Sequence, residues 1–287
     1  MRVMVVGTSG QLATELRRRP RPENILLLDP IKFDVGDVTA TRALLDTQAP
    51  DLVINASAYT AVDRAEDESE RAYAVNQTGP ATLAAWCTEH AASLVHVSTD
   101  YVFDGMKSAP YLEDDATSPF GVYGKSKLAG EIDVRRLLES HVILRTSWVF
   151  SAHGHNFVKT ILRLAREKDE LRVVGDQRGR PTSAADLADA VLAVAHQIAA
   201  GSTRRGTFHF AGSGATSWHG FAEAIVHMAA RHTGRTPLVT PISSAEYPAP
   251  VRRPPNSVLD TSRFEEAFTL KPRPWADGLG EVIDELC

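Results

Sequence analysis

An apolar run at residues 3–6 breaks directly into Gly7-Thr8-Ser9-Gly10-Gln11-Leu12-Ala13, and from there apolar runs of strand length alternate with helix-like stretches. The runs at 3–6, 26–28, 52–54, 94–97 and 142–144 are short and apolar, as strands buried on both faces must be. Helical patterning covers 11–18, 40–45, 81–90 and 123–139. This rhythm predicts an α/β, Rossmann-like, doubly wound parallel sheet. The rhythm then loosens, with helices expected at 156–168 and 184–200 and strands at 171–174 and 207–211. The expected division is 1–150 as a dinucleotide-binding domain and 151–287 as mainly a smaller C-terminal substrate-binding lobe, some of whose segments return to the first domain.

Glycine at 7 and 10 permits a tight turn and lets a phosphate reach backbone amides at a helix N-terminus. Ala13 is small enough for close packing of helix on strand. The spacing is G-x-x-G-x-x-A, so the glycines take their meaning from the strand before and the helix after. Asp29, close to the roughly 20-residue offset of an acid that binds a ribose hydroxyl, points to NADH. Lys32 nearby suits a 2′-phosphate, so NADH and NADPH both remain open.

Tyr123-Gly124-Lys125-Ser126-Lys127 puts a phenol and an ammonium four apart, neighbours on one helix face. The ammonium is expected to stabilise phenolate and lower the tyrosine pKa. Thr99 follows the fourth strand, at the sheet edge where ligands sit in such folds. Thr99, Tyr123 and Lys127 therefore form the expected catalytic group, able to deliver a proton to a carbonyl. The polar stretch 104–119 precedes this helix, where a substrate-covering loop would be useful. The proline-rich stretch 247–255 reads as an ordered loop or a connection across a cleft.

No apolar run approaches the roughly 20 residues of a membrane span, and the first ten residues read as a strand rather than a leader. A net charge of −5 gives no general attraction for nucleic acid. Small molecules are the expected partners, with neither nucleic acid nor membrane. Only Cys87 and Cys287 are present, which suits a reducing cytoplasm. The ten histidines show no metal-ligand spacing. Arg178, Arg180, Arg252 and Arg253 are candidate cations for a bound anion, the last two fixed by flanking prolines.

With these motifs in place the chain resembles the extended short-chain dehydrogenase/reductases and, more narrowly, the dTDP-4-dehydrorhamnose reductase family. The resemblance rests on residues 7–13, 55–63, 98–103, 123–127 and 145–149, Asp176-Gln177 with Pro181-Thr182, and Arg252-Arg253-Pro254 with Asn256-Ser257. It implies NADPH or NADH as cofactor, and reduction of the C4 keto group of dTDP-4-dehydro-β-L-rhamnose to dTDP-L-rhamnose. It implies cofactor contacts from Gly7, Ser9, Gly10, Gln11, Leu12, Asp29, Asp34, Val35, Ala56, Ser57, Ala58, Tyr59, Tyr123 and Lys127. For the sugar nucleotide it implies Thr99, Asp100, Tyr101, Trp148, Asn156, Gln177, Arg252 and Arg253. Mg²⁺ between subunits of a homodimer, at positions matching Glu15, Asp186 and Glu285, is a further implication. The related 4,6-dehydratases carry an Asp-Glu pair after the threonine; Asp100-Tyr101 stands here, which favours simple reduction. Two alternatives are a reductase of another dTDP-4-keto-deoxysugar and a cofactor-binding regulatory subunit similar to the β subunit of methionine adenosyltransferase.

Overall fold

The computed structural model describes residues 1–20, 24–28 and 31–287. Its largest sheet has six strands: β1 (Arg2–Val6), β2 (Leu26–Leu27), β3 (Leu52–Asn55), β4 (Ser93–Thr99), β5 (His141–Thr146) and a late strand, Gly206–His209. In space the order is late strand, β5, β4, β3, β1, β2, and every pairing is parallel. From β1 the chain first adds β2 on one side and then β3 on the other. A topological switch point therefore lies between β1 and β3, where folds of this kind bind ligands outside the strands' carboxyl ends.

Side chains alternate across β1 as a pleated strand requires. Val3 and Val5 face a core shared with helix α1 (Gln11–Arg18) and a later helix, Ala184–Ala199. Met4 and Val6 face a second core that includes Leu45, Leu83, Trp86 and Val134. These come from α2 (Val38–Gln48), α4 (Gly79–Glu89) and α5 (Val122–Leu137), with the short α3 (Ser69–Tyr73) lying between α2 and α4. Helices thus cover both faces, as the alternating pattern predicts. Cys87 lies in the second core, where burial pushes its thiol up to about 12.

A third core has Phe150, Ile161, Leu171, Phe221 and Ile283 at its centre. It joins helices Phe157–Glu167, Trp218–Thr233 and Trp275–Leu286 to the parallel pair Glu170–Val174 and Leu238–Ile242. The helix at 218–233 and the strand at 238–242 are absent from the sequence reading. Segment 104–119 is no free cover: Tyr111 is buried against Phe103 and Leu259, and the Glu113 carboxylate accepts the His209 backbone N–H at 3.0 Å. No helix among the described residues is long and apolar enough to cross a membrane.

Candidate active site

At the switch point, Gly7 has φ +113°, and a Cβ there would press on the Ala56 and Ser57 backbone at 3.3 Å. That close approach brings the carboxyl ends of β1 and β3 together. Gly10 stands just before helix α1 as its N-cap and offers no side-chain cap, and a Cβ on Gly10 would meet nothing within 4 Å. Open space beside uncapped amides fits a dinucleotide's phosphates. Ser9 is exposed here, whereas the Leu12 side chain belongs to the core, leaving only its backbone for a ligand. Asp29 lies outside the described residues. Val35 is buried against Gly79, and the Asp34 carboxylate pairs with Arg71 at 2.6 Å, which holds it below the usual carboxylate range. Ala58 is exposed, and Tyr59 donates its hydroxyl to Glu68.

Glycine at 124 lets α5 lie against β4's end, because any Cβ there would overlap the Tyr101 carbonyl. This seats Tyr123 and Lys127 beside Thr99, and all three are buried. The Thr99 hydroxyl donates to Asp100 Oδ1 at 3.0 Å and accepts the Tyr101 N–H at 3.2 Å. The rings of Tyr101 and Tyr123 meet edge to face, 5.4 Å between centroids. Burial holds the Asp100 carboxyl up at about 6; Ser257 opposes this, yet Oδ2 has no partner at hydrogen-bonding distance.

One expectation from the Tyr-Lys spacing is overturned. Burial pushes the Tyr123 phenol up to about 12, with Thr99 the one group pulling it down and no contribution from Lys127. The lysine does not spend its nitrogen on the phenol. It donates to the Val97 carbonyl at 2.7 Å and faces His96 Nε2 at 3.5 Å, and burial lowers its pKa to about 8.

Behind this group lies a layer that motif reading missed. Glu131, one turn beyond Lys127, accepts from Arg145 at 2.9 and 2.7 Å and from Ser98 at 2.6 Å, wholly buried. Burial alone would raise Glu131, but Arg145 holds it below its ordinary value. The i, i+4 spacing from Lys127 was the available signal. Between α3 and α4 the helix widens into a π turn, Ala74–Thr78, and Asn76 in it donates to the Tyr59 carbonyl and to Ser126 on α5. Such turns recur at functional sites, and nothing in the local sequence marks this one.

The remaining expected residues divide. Arg252, Arg253 and Gln177 line a cleft of about 440 Å³ with Tyr247 and Pro255. Arg253 pairs with Asp63 at 2.6 Å, while its other terminal nitrogen is buried without a partner. Arg252 stacks over Phe120, 4.7 Å from the ring centroid, and Gln177 donates to Ser244. Arg180, by contrast, reaches into the protein to the Leu259 carbonyl at 2.6 Å. Trp148, at φ +48°, stacks on Trp218 with centroids 3.6 Å apart, a left-handed backbone that a bulky residue rarely adopts. Asn156 is engaged within the protein: its side-chain carbonyl caps a helix and its amide donates to Gln11, Ser151 and His153. Gln11 is likewise tied by its side chain to Ser151 and Asn156.

The carboxylates implied for Mg²⁺ do not fit a metal. Arg18 reaches both Glu15 and Glu285, whereas Asp186 pairs with Arg273 at 2.7 Å. Among the described residues no three metal-ligating side chains converge.

The family whose description reads RmlD substrate binding domain matches residues 1–287. The chain is similar to dTDP-4-dehydrorhamnose reductase of Sinorhizobium fredii (strain NBRC 101917 / NGR234), at 44% identity over 99% of this chain and 97% of that one. A dTDP-4-dehydrorhamnose reductase structure from Clostridium acetobutylicum superposes with a TM-score of 0.91 at 38% identity, covering 100% of this chain and 99% of that one. Another from Bacillus anthracis, in complex with NADP, gives 0.89 at 34% identity, covering 99% of each chain.

Proposed function

The chain belongs to the RmlD substrate binding domain family, and from that premise we infer that it reduces the C4 keto group of dTDP-4-dehydro-β-L-rhamnose to give dTDP-L-rhamnose, the last step in making that sugar nucleotide. One observation carries the reading: Thr99, Tyr123 and Lys127 meet, buried, at the carboxyl edge of the sheet. The glycine turn lies at that same edge.

When bound, the reduced nicotinamide supplies the hydride. The α1 amides and the backbone at Gly7, Ser9 and Gly10 would hold its pyrophosphate, with Ala56, Ser57, Ala58 and Tyr59 along its length and Asp34 and Val35 toward the adenine. NADPH is the form proposed, because Arg71 pairs with Asp34 and offsets the carboxylate that would repel a 2′-phosphate on this side; the NADP complex of the Bacillus anthracis relative supports it. Tyr123, a full acid at neutral pH with its pKa near 12, donates its proton to the C4 oxygen. Thr99 orients that oxygen, and Lys127 holds the nicotinamide ribose. Arg253, with its unpartnered buried nitrogen, and Arg252 would take the diphosphate. The two free cysteines, one buried and one exposed, agree with work in a reducing cytoplasm.

The test follows loss of reduced-nicotinamide absorbance with dTDP-4-dehydrorhamnose made in place by the upstream enzymes, with NADPH and NADH side by side and the product identified. Formation of dTDP-L-rhamnose, faster with NADPH, is expected. Intact cofactor binding without turnover would reject the reading.

A further inference from the structure

We infer that Gln11 couples the two ligand sites: it ties the first turn of α1, beside the dinucleotide's phosphates, to the segment that carries Trp148, so that the dinucleotide and the sugar nucleotide strengthen each other's binding. Gln11 is then a positioning residue for the sugar, and the inference rests on the reading of those two sites given above.

The reasoning starts at Asn156. The Lys159 backbone N–H donates to its side-chain oxygen at 3.2 Å. A backbone N–H can only donate, so the other end of Asn156 is the amide nitrogen. That nitrogen meets Gln11 at 2.9 Å, and Gln11 therefore presents its oxygen, Oε1. The Ser151 hydroxyl donates to the same oxygen at 2.9 Å. Gln11 Nε2 is left to donate to the Val149 carbonyl at 3.4 Å. Gly154 packs on the stem of this side chain, since a Cβ there would stand 3.5 Å from Gln11 Cγ. One side chain in α1 thus holds a segment 138 to 145 positions further along the chain.

That segment is the joint between the main sheet and the third core. Val149 packs against the core that α1 shares with β1, whereas Trp148 and Phe150 belong to the third core. Val149 and Phe150 pair with Thr182 and Ser183, and the Trp148 carbonyl accepts the Thr182 N–H at 3.2 Å. Trp148 holds φ +48°, stacked on Trp218 and so close to Gly179 that no Cβ fits there. A left-handed backbone at a bulky residue persists only where its surroundings over-determine it, and Gln11 fixes the very next residue. At the other end of the tie, the uncapped α1 amides gain partners when a pyrophosphate binds, which orders the first turn and Gln11 with it. A segment ordered by one ligand costs the second ligand less to order, and the effect is reciprocal.

Hydrogen–deuterium exchange of peptides covering 148–156 reads the tie directly. The probe is 2′-phospho-ADP-ribose, which carries the pyrophosphate but no nicotinamide to touch the sugar. In the wild type it should slow exchange there roughly two- to tenfold, the range of one net hydrogen bond. In Gln11→Ala the slowing should vanish although the probe, held by backbone amides, still binds. This variant strands no buried hydrogen, because Ser151 and Asn156 keep the carbonyls of His153 and Ser151 as acceptors. Ser151→Ala removes one of the donors to Oε1 from outside both ligand sites and should weaken the slowing; it keeps the inference refutable if Gln11→Ala fails to fold or to bind the probe. Calorimetry should show dTDP-L-rhamnose binding about fivefold tighter or more to probe-saturated wild type than to the free protein, and equally to both forms of Gln11→Ala. Probe binding that leaves 148–156 unprotected in the wild type, or protection in Gln11→Ala equal to the wild type, would overturn the inference. Protection that depends on Gln11, without any binding of dTDP-L-rhamnose, rejects the reductase reading and upholds the tie. Binding of dTDP-L-rhamnose that ignores the probe rejects this inference alone.

Discussion

Replacing Glu131 with Gln tests whether the buried charges behind the candidate active site organise it. Glu131 is 0% exposed and Arg145 2%, joined by two hydrogen bonds of 2.9 and 2.7 Å. The amide keeps the shape but removes the charge and turns an NH₂ toward a guanidinium or toward Ser98. Removing one partner of a buried pair leaves the other uncompensated, at a cost of about 3–5 kcal/mol. At roughly 2–4 °C per kcal/mol for a chain of this order of size, the melting temperature should fall by roughly 6–20 °C. Urea unfolding gives the free energy and calorimetry the temperature. Glu131→Leu with Arg145→Met should recover most of the loss, because apolar replacement of a whole buried pair is often close to neutral. A Gln variant that loses less than about 1 kcal/mol, the range of an exposed salt bridge, would refute the reasoning.

Tyr123→Phe keeps the ring and removes the proton, so kcat should fall roughly 10²- to 10⁴-fold with cofactor affinity retained; near-normal turnover would dismiss the tyrosine as the acid. Asp100 has a folded pKa raised to about 6 by burial, above the unfolded value of about 3.9. Its protonation therefore stabilises the fold fully below the unfolded pKa, and that contribution is lost as pH rises through the folded pKa. Thermal melts should show a decline across this window in the wild type that is missing in Asp100→Asn. Arg253→Leu should raise KM roughly ten- to a hundredfold, the worth of a charged hydrogen bond, with a smaller change in kcat; an unchanged KM would remove Arg253 from the substrate site.

Much of this was open to sequence reading because its causes are local. The strand–glycine–helix junction at 3–18, the buried strands and the four-residue step from Tyr123 to Lys127 follow from periodicity and from what glycine permits. Thr99 was placed because strands of this sheet end where ligands bind. The late strand at 206–209 joins the main sheet beside β5, a pairing across more than sixty residues that no local pattern encodes.

Sequence alone thus named a phenol, a hydroxyl and an amine as one candidate group, from helical spacing for Tyr123 and Lys127 and from a strand end for Thr99. Only the tertiary structure decided their surroundings. Whether Lys127 pulls the phenol down depends on the neighbours brought to its nitrogen, and these are the Val97 carbonyl and His96, which faces Asn55 on another strand. The same holds for Glu15, Asp186 and Glu285, which the family resemblance offers to a metal and folding gives to arginines. Protonation and pairing are set by burial and by contacts between distant segments, and those exist only once the chain has folded.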